Sequence, residues 1–299
     1  MDDLLTILIR GLAQGSFYAL VAAGFVVIYR ATDVVNFAQP ALMVMGAYFT
    51  ALFRQNYDFP FWLAVIAAMV AVALIGAASE RVALRPMVGE PPFAAAMVTV
   101  GLFLVLTIIA TRLIGSNVIS VGDPWGLETA TFLGNVRMRV ADGWGIGLTI
   151  VAFSAVGLFL TRSRVGLAMR ATSLDQEVAL AQGVNVGRMF GLSWALAGGL
   201  AGLAGMVYGS GGTGVDPTSA FVALKALPVI ILGGLDSLKG AYIGGLVIGV
   251  AEAFTRANAA SLSGVVGANV DVVVPYLIML IVLMVKPYGL FGTPEVQRV

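Results

Sequence analysis

The 299-residue chain is 59% apolar and only 11% charged, whereas about a quarter of the residues in a typical soluble domain are charged. This balance excludes an ordinary water-soluble domain, and the net charge of +1 gives no reason to expect a nucleic-acid partner. Cysteine and histidine are both absent, which argues against disulfides, haem or zinc sites, and catalysis by imidazole or thiolate.

Six charge-free apolar runs dominate the first two thirds of the sequence. A helix needs about 20 apolar residues to cross the hydrocarbon core of a bilayer, and each run reaches that length. Because no internal repeat or linker-like stretch divides them, we predict that residues 1–299 form a single transmembrane domain. It is predicted to be an all-α polytopic membrane protein with eight or nine transmembrane helices. The runs are 11–29, 34–53, 59–79, 91–111, 143–161 and 189–215.

The first two runs contain polar side chains that a lipid-facing helix does not need. These are Gln14, Ser16 and Tyr18 in the first run and Asn36 and Gln39 at the start of the second. Pro40 predicts a kinked or broken start to the second span, and irregular backbone at membrane depth survives only when it is buried in protein or lines a cavity. We therefore expect these side chains to line a substrate pathway, with hydrogen bonding between helices as an equal alternative.

The distribution of Arg and Lys predicts the orientation of the chain. Cytoplasmic loops near the ends of spans collect these residues, and the richest short connections are 80–90 and 162–188. Placing both inside the cell puts the N-terminus and the 112–142 loop outside. Lys286 and Arg298 then favour a cytoplasmic C-terminus, which requires an odd number of crossings. Nine crossings are therefore favoured over eight.

A polar segment at 166–182, GLAMRATSLDQEVALAQ, separates two apolar runs. An irregular apolar stripe that includes Leu174 and Val178 runs along it, while the acidic side chains fall on another face. Gly183 follows where a helix would end. The pattern predicts a short surface helix on the cytoplasmic side, which either rests on the membrane or docks a cytoplasmic partner.

Glycines recur at helical spacing in AGGLAGLAGMVYG (197–209) and GAYIGGLVIG (240–249). Small residues four apart allow helix backbones to approach closely, and such packing is common in membrane helices. We therefore interpret both stripes as packing faces, with a glycine-lined substrate path as the alternative.

The stretch at 217–235 is too polar for a simple span, because it contains Lys225 together with Pro228. It is predicted to be a broken or re-entrant helix. Two further spans are expected at about 240–257 and 270–287. An odd number of crossings favours a full crossing at 217–235.

Two charged residues are expected near membrane depth, where such side chains usually face a cavity or one another. Lys225 is expected to contact a solute carboxylate in transit, to reach the outer interface, or to pair with Asp216. Glu252 precedes Arg256 by four residues, and this spacing predicts an ion pair at the outer end of the helix.

Four motifs occur in a fixed order along the chain. They are GLAQGSFYALVAAGFVVIYRATDVVNFAQPALMVMGAY, GLAMRATSLDQEVALAQGVNVGRM, KALPVIILGGLDSLKGAYIGGLVIGVAE and KPYGLFG. Together, from about Gly11 to Gly292, they resemble the branched-chain amino acid permeases of ABC importers, the LivH-like subunits. One departure is Gln39-Pro40, where relatives often have His-Gly or Gln-Gly, so a residue with fixed φ and no N–H donor replaces a flexible glycine. The 112–142 loop carries no motif of that family.

The resemblance implies a permease subunit of a larger assembly in the bacterial cytoplasmic (inner) membrane. The implied partners are a second related permease, two cytoplasmic ATPase subunits, an extracytoplasmic substrate-binding protein and the lipid bilayer. ATP and Mg²⁺ would be used by the ATPases, and this chain would bind no cofactor itself. The sequence agrees, because no G-x-x-x-x-G-K-[ST] loop is present to cradle ATP phosphates. The chain is therefore not expected to be an enzyme.

The resemblance also implies a substrate class and a coupling element. The expected substrates are branched-chain amino acids or a related small polar solute, such as an amide or urea. Coupling to the ATPase is expected in the polar segment. The residues expected to carry it are Arg170, Leu174, Asp175, Glu177, Val178 and Gly183.

The residues by themselves leave two alternative functions to consider. An ion-coupled secondary transporter usually carries acidic residues within the membrane, and here only Glu252 comes close. A membrane enzyme needs a nucleophile, an acid/base pair or a metal, and without Cys or His only carboxylate or Lys-Ser chemistry is left. No paired motif for that chemistry is present in the sequence.

Overall fold

The computed structural model describes residues 2–115, 117–132, 136–259 and 270–293. Arg298, used above to orient the C-terminus, lies outside the described residues. The described chain is mostly helical, and its strands β1 (Thr129–Phe132) and β2 (Val136–Arg139) form one antiparallel hairpin. This hairpin lies in the 112–142 loop and was not predicted from the sequence.

Twelve helices are labelled here in chain order. They are α1 (Asp2–Thr32), α2 (Gln39–Gln55), α3 (Phe61–Ser79), α4 (Pro92–Ile114), α5 (Val140–Arg162), α6 (Arg164–Leu174), α7 (Gln176–Ala181), α8 (Val186–Gly209), α9 (Ser219–Ala223), α10 (Ala226–Gly233), α11 (Leu238–Ala257) and α12 (Val270–Val285). A π-helical turn (Glu80–Leu84) and a 3₁₀ turn (Arg85–Met87) extend α3.

Six helices of the described residues are long and apolar enough to cross a membrane. They are Leu4–Thr32, Phe61–Met87, Pro92–Ile114, Val140–Arg162, Val186–Gly209 and Leu238–Ala257. Two shorter apolar helical stretches are present at Ser219–Gly233 and Val270–Val285. The prediction of a mostly helical, multi-pass membrane protein is therefore confirmed.

The helical bundle has two ends that differ in what they carry. The hairpin end is defined by β1 and β2, the start of α1, and the segment around Trp125, which stacks on Trp144 at the start of α5. The segment end is defined by α6 and α7, where Asp175 and Thr32 share a cavity with Glu80.

The glycine stripes are packing faces, as predicted. In α11, a Cβ on Gly245 or Gly249 would overlap the backbone of Gly15 in α1. In α8, a Cβ on Gly205 would overlap the Met43 carbonyl of α2, and the same stripe contacts α3. The helix backbones therefore meet closely along both stripes. α1, which packs against α11 in this way, is the most buried of the candidate spans.

The helix in the second predicted span begins later than predicted and, at 17 residues, is not among the six candidate membrane-crossing helices of the described residues. Residues 34–38 are not helical, and α2 starts at Gln39 with Pro40 in its first turn. Proline is well tolerated there, because a first-turn residue has no N–H partner within the helix. Asn36 supports the turn before it by accepting the Ala38 amide at 3.0 Å. The predicted broken start is therefore present, and the helix begins inside the bundle.

The polar segment at 166–182 is two helices, and the prediction of a single helix is wrong. Asp175 separates α6 from α7 with an extended backbone, φ −162° and ψ 112°. Its carboxylate accepts the amide of Val178 at 3.0 Å and so caps the start of α7. Gly183 follows α7 at φ +82°, a left-handed conformation that favours glycine.

The stretch at 217–235 is also two helices, α9 and α10, which meet at Leu224 and Lys225. The chain enters α9 from the hairpin end, where Val215 pairs with Ile119. It leaves α10 against the start of α11, where Gly233 touches Gly240. The helix is broken at the charged residue, which agrees with the sequence pattern.

Candidate functional site

A cavity of about 570 Å³ enters the bundle from the hairpin end. Its wall is made by α1, the start of α5, the end of α8 and the end of α11. The wall contains charged and polar side chains beside an apolar patch of Phe17, Ala141 and Val207. The charged and polar members are Arg10, Gln14, Arg139, Asp142, Tyr208, Ser210, Thr213, Glu252 and Arg256.

Helical spacing explains why α1 presents a continuous strip to the cavity. Ile7, Arg10, Gln14 and Phe17 follow one another at steps of three or four residues and line the wall together. At 1.5 Å per residue this strip is about 15 Å long. The glycine contact between α1 and α11 holds the strip against Glu252, which lies at the inner limit of the cavity.

Glu252 is the centre of a buried ion-pair network, named here the Glu252 node. Its side chain is only 1% exposed. The Tyr18 hydroxyl donates to Oε2 at 2.6 Å, and Lys225 Nζ and Arg256 Nη2 donate to Oε1 at 2.7 and 2.8 Å. A buried carboxylate is strongly destabilising unless it is paired in this way. Both oxygens of Glu252 are therefore occupied by donors of this chain.

The network continues beyond Glu252 in two directions. Gln14 donates to the Tyr18 hydroxyl at 2.9 Å and so joins the cavity wall to the node. Arg256 also donates to Asp271 at 3.0 Å, which adds α12. The node thus ties together α1, the junction of α9 and α10, α11 and α12.

The predicted pair of Glu252 with Arg256 is confirmed, and Lys225 has a different partner from the one considered in the sequence. Lys225 pairs with Glu252, 27 residues away along the chain, rather than with Asp216. Asp216 instead caps α9 by accepting the Ser219 amide at 2.9 Å. A hydrogen bond from the Thr218 hydroxyl lowers the pKa of Asp216 below its ordinary value.

A second ion pair stands at the mouth of the cavity. Arg139, the last residue of β2, donates to both oxygens of Asp142, from Nη2 at 2.7 Å and from Nε at 3.1 Å. The same guanidinium reaches the Gly211 carbonyl at 3.5 Å. The hairpin therefore delivers Arg139 to the cavity, which gives a position to a loop whose role the sequence left open.

The other predicted pathway residues do not line this cavity. Asn36 and Gln39 are fully buried, and Gln39 donates to the Ala197 carbonyl in α8 at 3.0 Å. Gly24 leaves the space that the Gln39 side chain fills. Ser16 is buried too, and its hydroxyl has no partner among the described residues. The positions of Asn36 and Gln39 favour hydrogen bonding between helices, the alternative weighed above.

The polar segment lies at the opposite end beside a smaller cavity of about 260 Å³. The carboxylates of Asp33, Glu80 and Asp175 contribute to its wall, together with Leu174. Leu174 is 87% exposed and Val178 56% exposed. Arg170 Nε is buried without a hydrogen-bond partner in the part of the chain that the structure describes. Glu177 and Gly183 are exposed beside them.

Sequence reasoning missed Arg10, Arg139 and Asp142 as members of one site. The signal available for Arg10 was its spacing, four residues before Gln14, which places both on one face of a helix. Nothing in the sequence joins Arg139 to α1 and α8, since that contact depends on the fold of the hairpin.

Comparison with known proteins finds relatives along nearly the whole chain. A family model described as the permease component of branched-chain amino acid transport systems matches residues 7–283. The chain is 30% identical to the high-affinity branched-chain amino acid permease protein LivH of Escherichia coli K12, over 97% of this chain and 96% of that protein. It is 29% identical to the corresponding protein BraD of Pseudomonas aeruginosa, over 98% and 97%. Among solved structures, PsaBC from Streptococcus pneumoniae in complex with Fab has a TM-score of 0.49 and 16% identity, over 93% of this chain and 91% of that one.

Proposed function

The chain belongs to the family of branched-chain amino acid transport permeases, and we propose that it is the transmembrane subunit of an ATP-driven importer of branched-chain amino acids or a related small polar solute. The observation that carries the proposal is the hairpin-end cavity. Ionisable side chains inside an apolar bundle are costly, and in membrane proteins they mark the paths of solutes and ions. The mixed charged and apolar wall suits a small solute that has both characters.

The energy for transport would come from other chains. The sequence has no phosphate-binding loop for ATP, so two cytoplasmic ATPase subunits would use ATP and Mg²⁺. A second related permease would complete the membrane portion, and an extracytoplasmic binding protein would deliver the solute to the hairpin end. The names of the relatives support this assembly, since both describe a permease protein of a transport system.

The proposed orientation has the hairpin end outside and the segment end in the cytoplasm. The N-terminus would then lie outside and the C-terminus inside, after nine crossings in which α2 and the α9–α10 pair each count as one. The contacts of α9 at one end of the bundle and of α10 at the other support a full crossing.

The polar segment is proposed to dock the ATPase. Leu174 and Val178 leave apolar surface uncovered at this end, and a cytoplasmic subunit with an apolar groove would cover it. Arg170, Asp175 and Glu177 would set the register of that contact through charge, which contributes specificity more than affinity.

An ion-coupled secondary transporter is the alternative, and Glu252 is the observation in its favour. Against it, both oxygens of Glu252 already accept hydrogen bonds from Tyr18, Lys225 and Arg256. A coupling carboxylate must instead be free to bind and release an ion during each cycle.

Uptake by the assembled transporter separates the two functions. The chain is produced together with the ATPase, second-permease and binding-protein subunits proposed above, purified as a complex and reconstituted in proteoliposomes. We expect uptake of radiolabelled L-leucine to require ATP on the cytoplasmic side, and to be unaffected by a protonophore or by a sodium gradient. Uptake driven by an ion gradient without ATP would overturn the proposal. The isolated chain, which lacks the ATP site, is expected to hydrolyse no ATP above a mock preparation.

A further inference from the structure

We propose that Arg10 receives the carboxylate of the solute in the hairpin-end cavity. The cavity would then be a binding station for carboxylate-bearing solutes, and would discriminate against neutral amides, urea and sugars. The inference rests on the proposed function, because it assigns a site and a chemical preference to the same transport path.

The first observation is that Arg10 differs from the other cations of the site. Arg139 is held by both oxygens of Asp142, and Arg256 bridges Glu252 and Asp271. Lys225, behind the wall, is held by Glu252. Arg10 lines the same cavity and is exposed. Among the side chains that the structure describes, from residue 4 onward, it has no carboxylate partner and donates no hydrogen bond.

The second observation is the charge of the wall. Among the residues that the structure describes, three guanidinium groups and two carboxylates line the cavity, so this part of the wall has one more positive group than negative groups. Behind the wall, the nearest charged members of the network are Lys225 and Asp271. They add one positive and one negative charge, so the excess of one positive group is unchanged. A cleft with low-dielectric walls concentrates such a field. Among these described residues Arg10 is the cation without a carboxylate partner, and an anionic group of a solute would balance its charge.

The third observation is the position of Arg10 along α1. It lies one turn outward from Gln14 and eight residues, or about 12 Å, outward from Tyr18 at the Glu252 node. When a solute is held at Arg10 by its carboxylate, the rest of the solute can therefore extend inward along the cavity. Phe17, Ala141 and Val207 provide apolar wall within that depth, which suits a branched aliphatic side chain.

Arginine is the side chain best suited to this role. Its planar guanidinium presents parallel N–H donors that match the two oxygens of a carboxylate. An amide, a urea or a sugar can accept a hydrogen bond from the guanidinium, but it offers neither a negative charge to pair with it nor two anionic oxygens that match its parallel donors. Lysine keeps the charge but loses the paired geometry.

Protection of a reporter cysteine tests the site even when binding is weak. The chain has no native cysteine, so Thr213→Cys in the cavity wall gives a single reactive thiol. The full chain in nanodiscs is labelled with a methanethiosulfonate reagent in the presence of L-leucine, 4-methylpentanoate, L-leucinamide, urea or fructose. We expect L-leucine and 4-methylpentanoate to slow labelling at millimolar concentration. L-leucinamide, in which a neutral carboxamide replaces the carboxylate, is expected not to protect at the same concentration.

Variants of Arg10 identify the residue. In the reporter chain, Arg10→Gln is expected to raise the L-leucine concentration for half-protection about tenfold to a hundredfold, the range for losing a hydrogen bond to a charged group. Arg10→Lys is expected to raise it by less. Arg112→Gln, at an exposed arginine of α4 outside the cavity wall, is the matched control and should leave protection unchanged. Thermal unfolding of each variant checks that the chain is folded.

The outcomes separate this inference from the proposed function. Equal protection by L-leucinamide and L-leucine, unchanged protection in Arg10→Gln, or no protection by any carboxylate would each overturn the assignment. If the reconstituted complex still takes up L-leucine with ATP while Arg10→Gln has an unchanged KM, the transport function stands and the Arg10 site does not. If carboxylates protect through Arg10 but no ATP-dependent uptake occurs, the site stands and the proposed function fails.

Discussion

The two ends of this molecule differ in whether the chain itself supplies all the partners that its side chains need. At the hairpin end, the Glu252 node is buried, and each oxygen of its carboxylate accepts a donor from another part of the chain. At the segment end, Leu174 and Val178 are exposed on helices whose starts are capped by the side chains of Ser163 and Asp175. The first arrangement is complete within one chain, whereas the second leaves apolar surface for another molecule to cover. Substitutions in the two regions should therefore have different consequences.

The largest effect on the stability of the chain itself is expected at the node. Glu252→Ala leaves Lys225 and Arg256 without their shared carboxylate, and breaking a buried pair costs about 3–5 kcal/mol. Thermal unfolding of the purified chain in detergent measures the loss.

The double substitution Glu252→Gln with Lys225→Met is the matched control for that loss. It removes both buried charges together and should recover most of the stability, since replacing a whole buried pair is often close to neutral. If Glu252→Ala unfolds at the wild-type temperature, the node does not hold the helices together.

The next largest effect is expected at the segment end, and it falls on association rather than on folding. Leu174→Asp with Val178→Asp would place unpaired charge in a covered contact, at a cost of about 2–5 kcal/mol. Affinity for the ATPase should fall at least tenfold, while the unfolding temperature of the isolated chain stays within the small range typical of surface changes. Co-purification of the ATPase with the variant permease measures the association.

A conservative pair at the same positions provides the control. Leu174→Met with Val178→Ile keeps the apolar surface and should retain the ATPase. If the aspartate variant also retains it with wild-type stoichiometry and affinity, the polar segment rests on the membrane surface instead of docking a partner.

The packing that brings α1 to the node should show a smaller effect. Gly249→Ala introduces a methyl group where the backbone of Gly15 lies, and overpacking of this kind costs about 1–3 kcal/mol. Gly101→Ala in α4 is the control, because nothing lies within 4 Å of the position its Cβ would take. We expect the unfolding temperature to be lower than that of the wild type for Gly249→Ala and unchanged for Gly101→Ala. Equal values would mean that the α1–α11 contact has room to adjust.

The smallest effect is expected at Asp175, and it separates two roles for the same carboxylate. Loss of the cap in Asp175→Ala should destabilise α7 by about 1 kcal/mol, seen as faster hydrogen exchange at the Val178 amide. Asp175→Asn keeps a capping oxygen but removes the charge. If Asp175→Asn weakens ATPase binding as much as Asp175→Ala does, the charge acts on the partner and the cap is secondary.

Features were predictable from the sequence when the residues that form them are close together along the chain. The apolar runs, the glycine faces and the Glu252–Arg256 pair depend on residues close together in one helix, and helical periodicity reveals them. The partners of Glu252 on other elements do not follow from any period, because Lys225 lies 27 residues away and Tyr18 lies 234 residues away. The break at Asp175 was missed because apolar spacing continues through it, whereas the local capping bond of the Asp175 carboxylate starts a second helix there.

The site was predictable only in part for the same reason. Gln14 and Tyr18 were expected on a pathway from their polarity in an apolar run, and Gln14 does line the cavity. Asn36 and Gln39 look equally polar in the sequence, yet they are buried in hydrogen bonds between helices. Residue type alone does not distinguish a cavity wall from a polar contact between helices.

Because α2 begins inside the bundle, the order in which it and its hydrogen-bond partners are synthesised matters for its folding. Its 17 residues extend about 26 Å, less than the roughly 30 Å of the hydrocarbon core. The Phe37 amide donates to Thr99 of α4, and the Gln39 side chain donates to Ala197 of α8. Both acceptors are synthesised after α2, and unsatisfied polar groups in lipid cost several kcal/mol each. These two hydrogen bonds therefore form only after α4 and α8 have been synthesised, and until then the polar groups at the start of α2 need other partners.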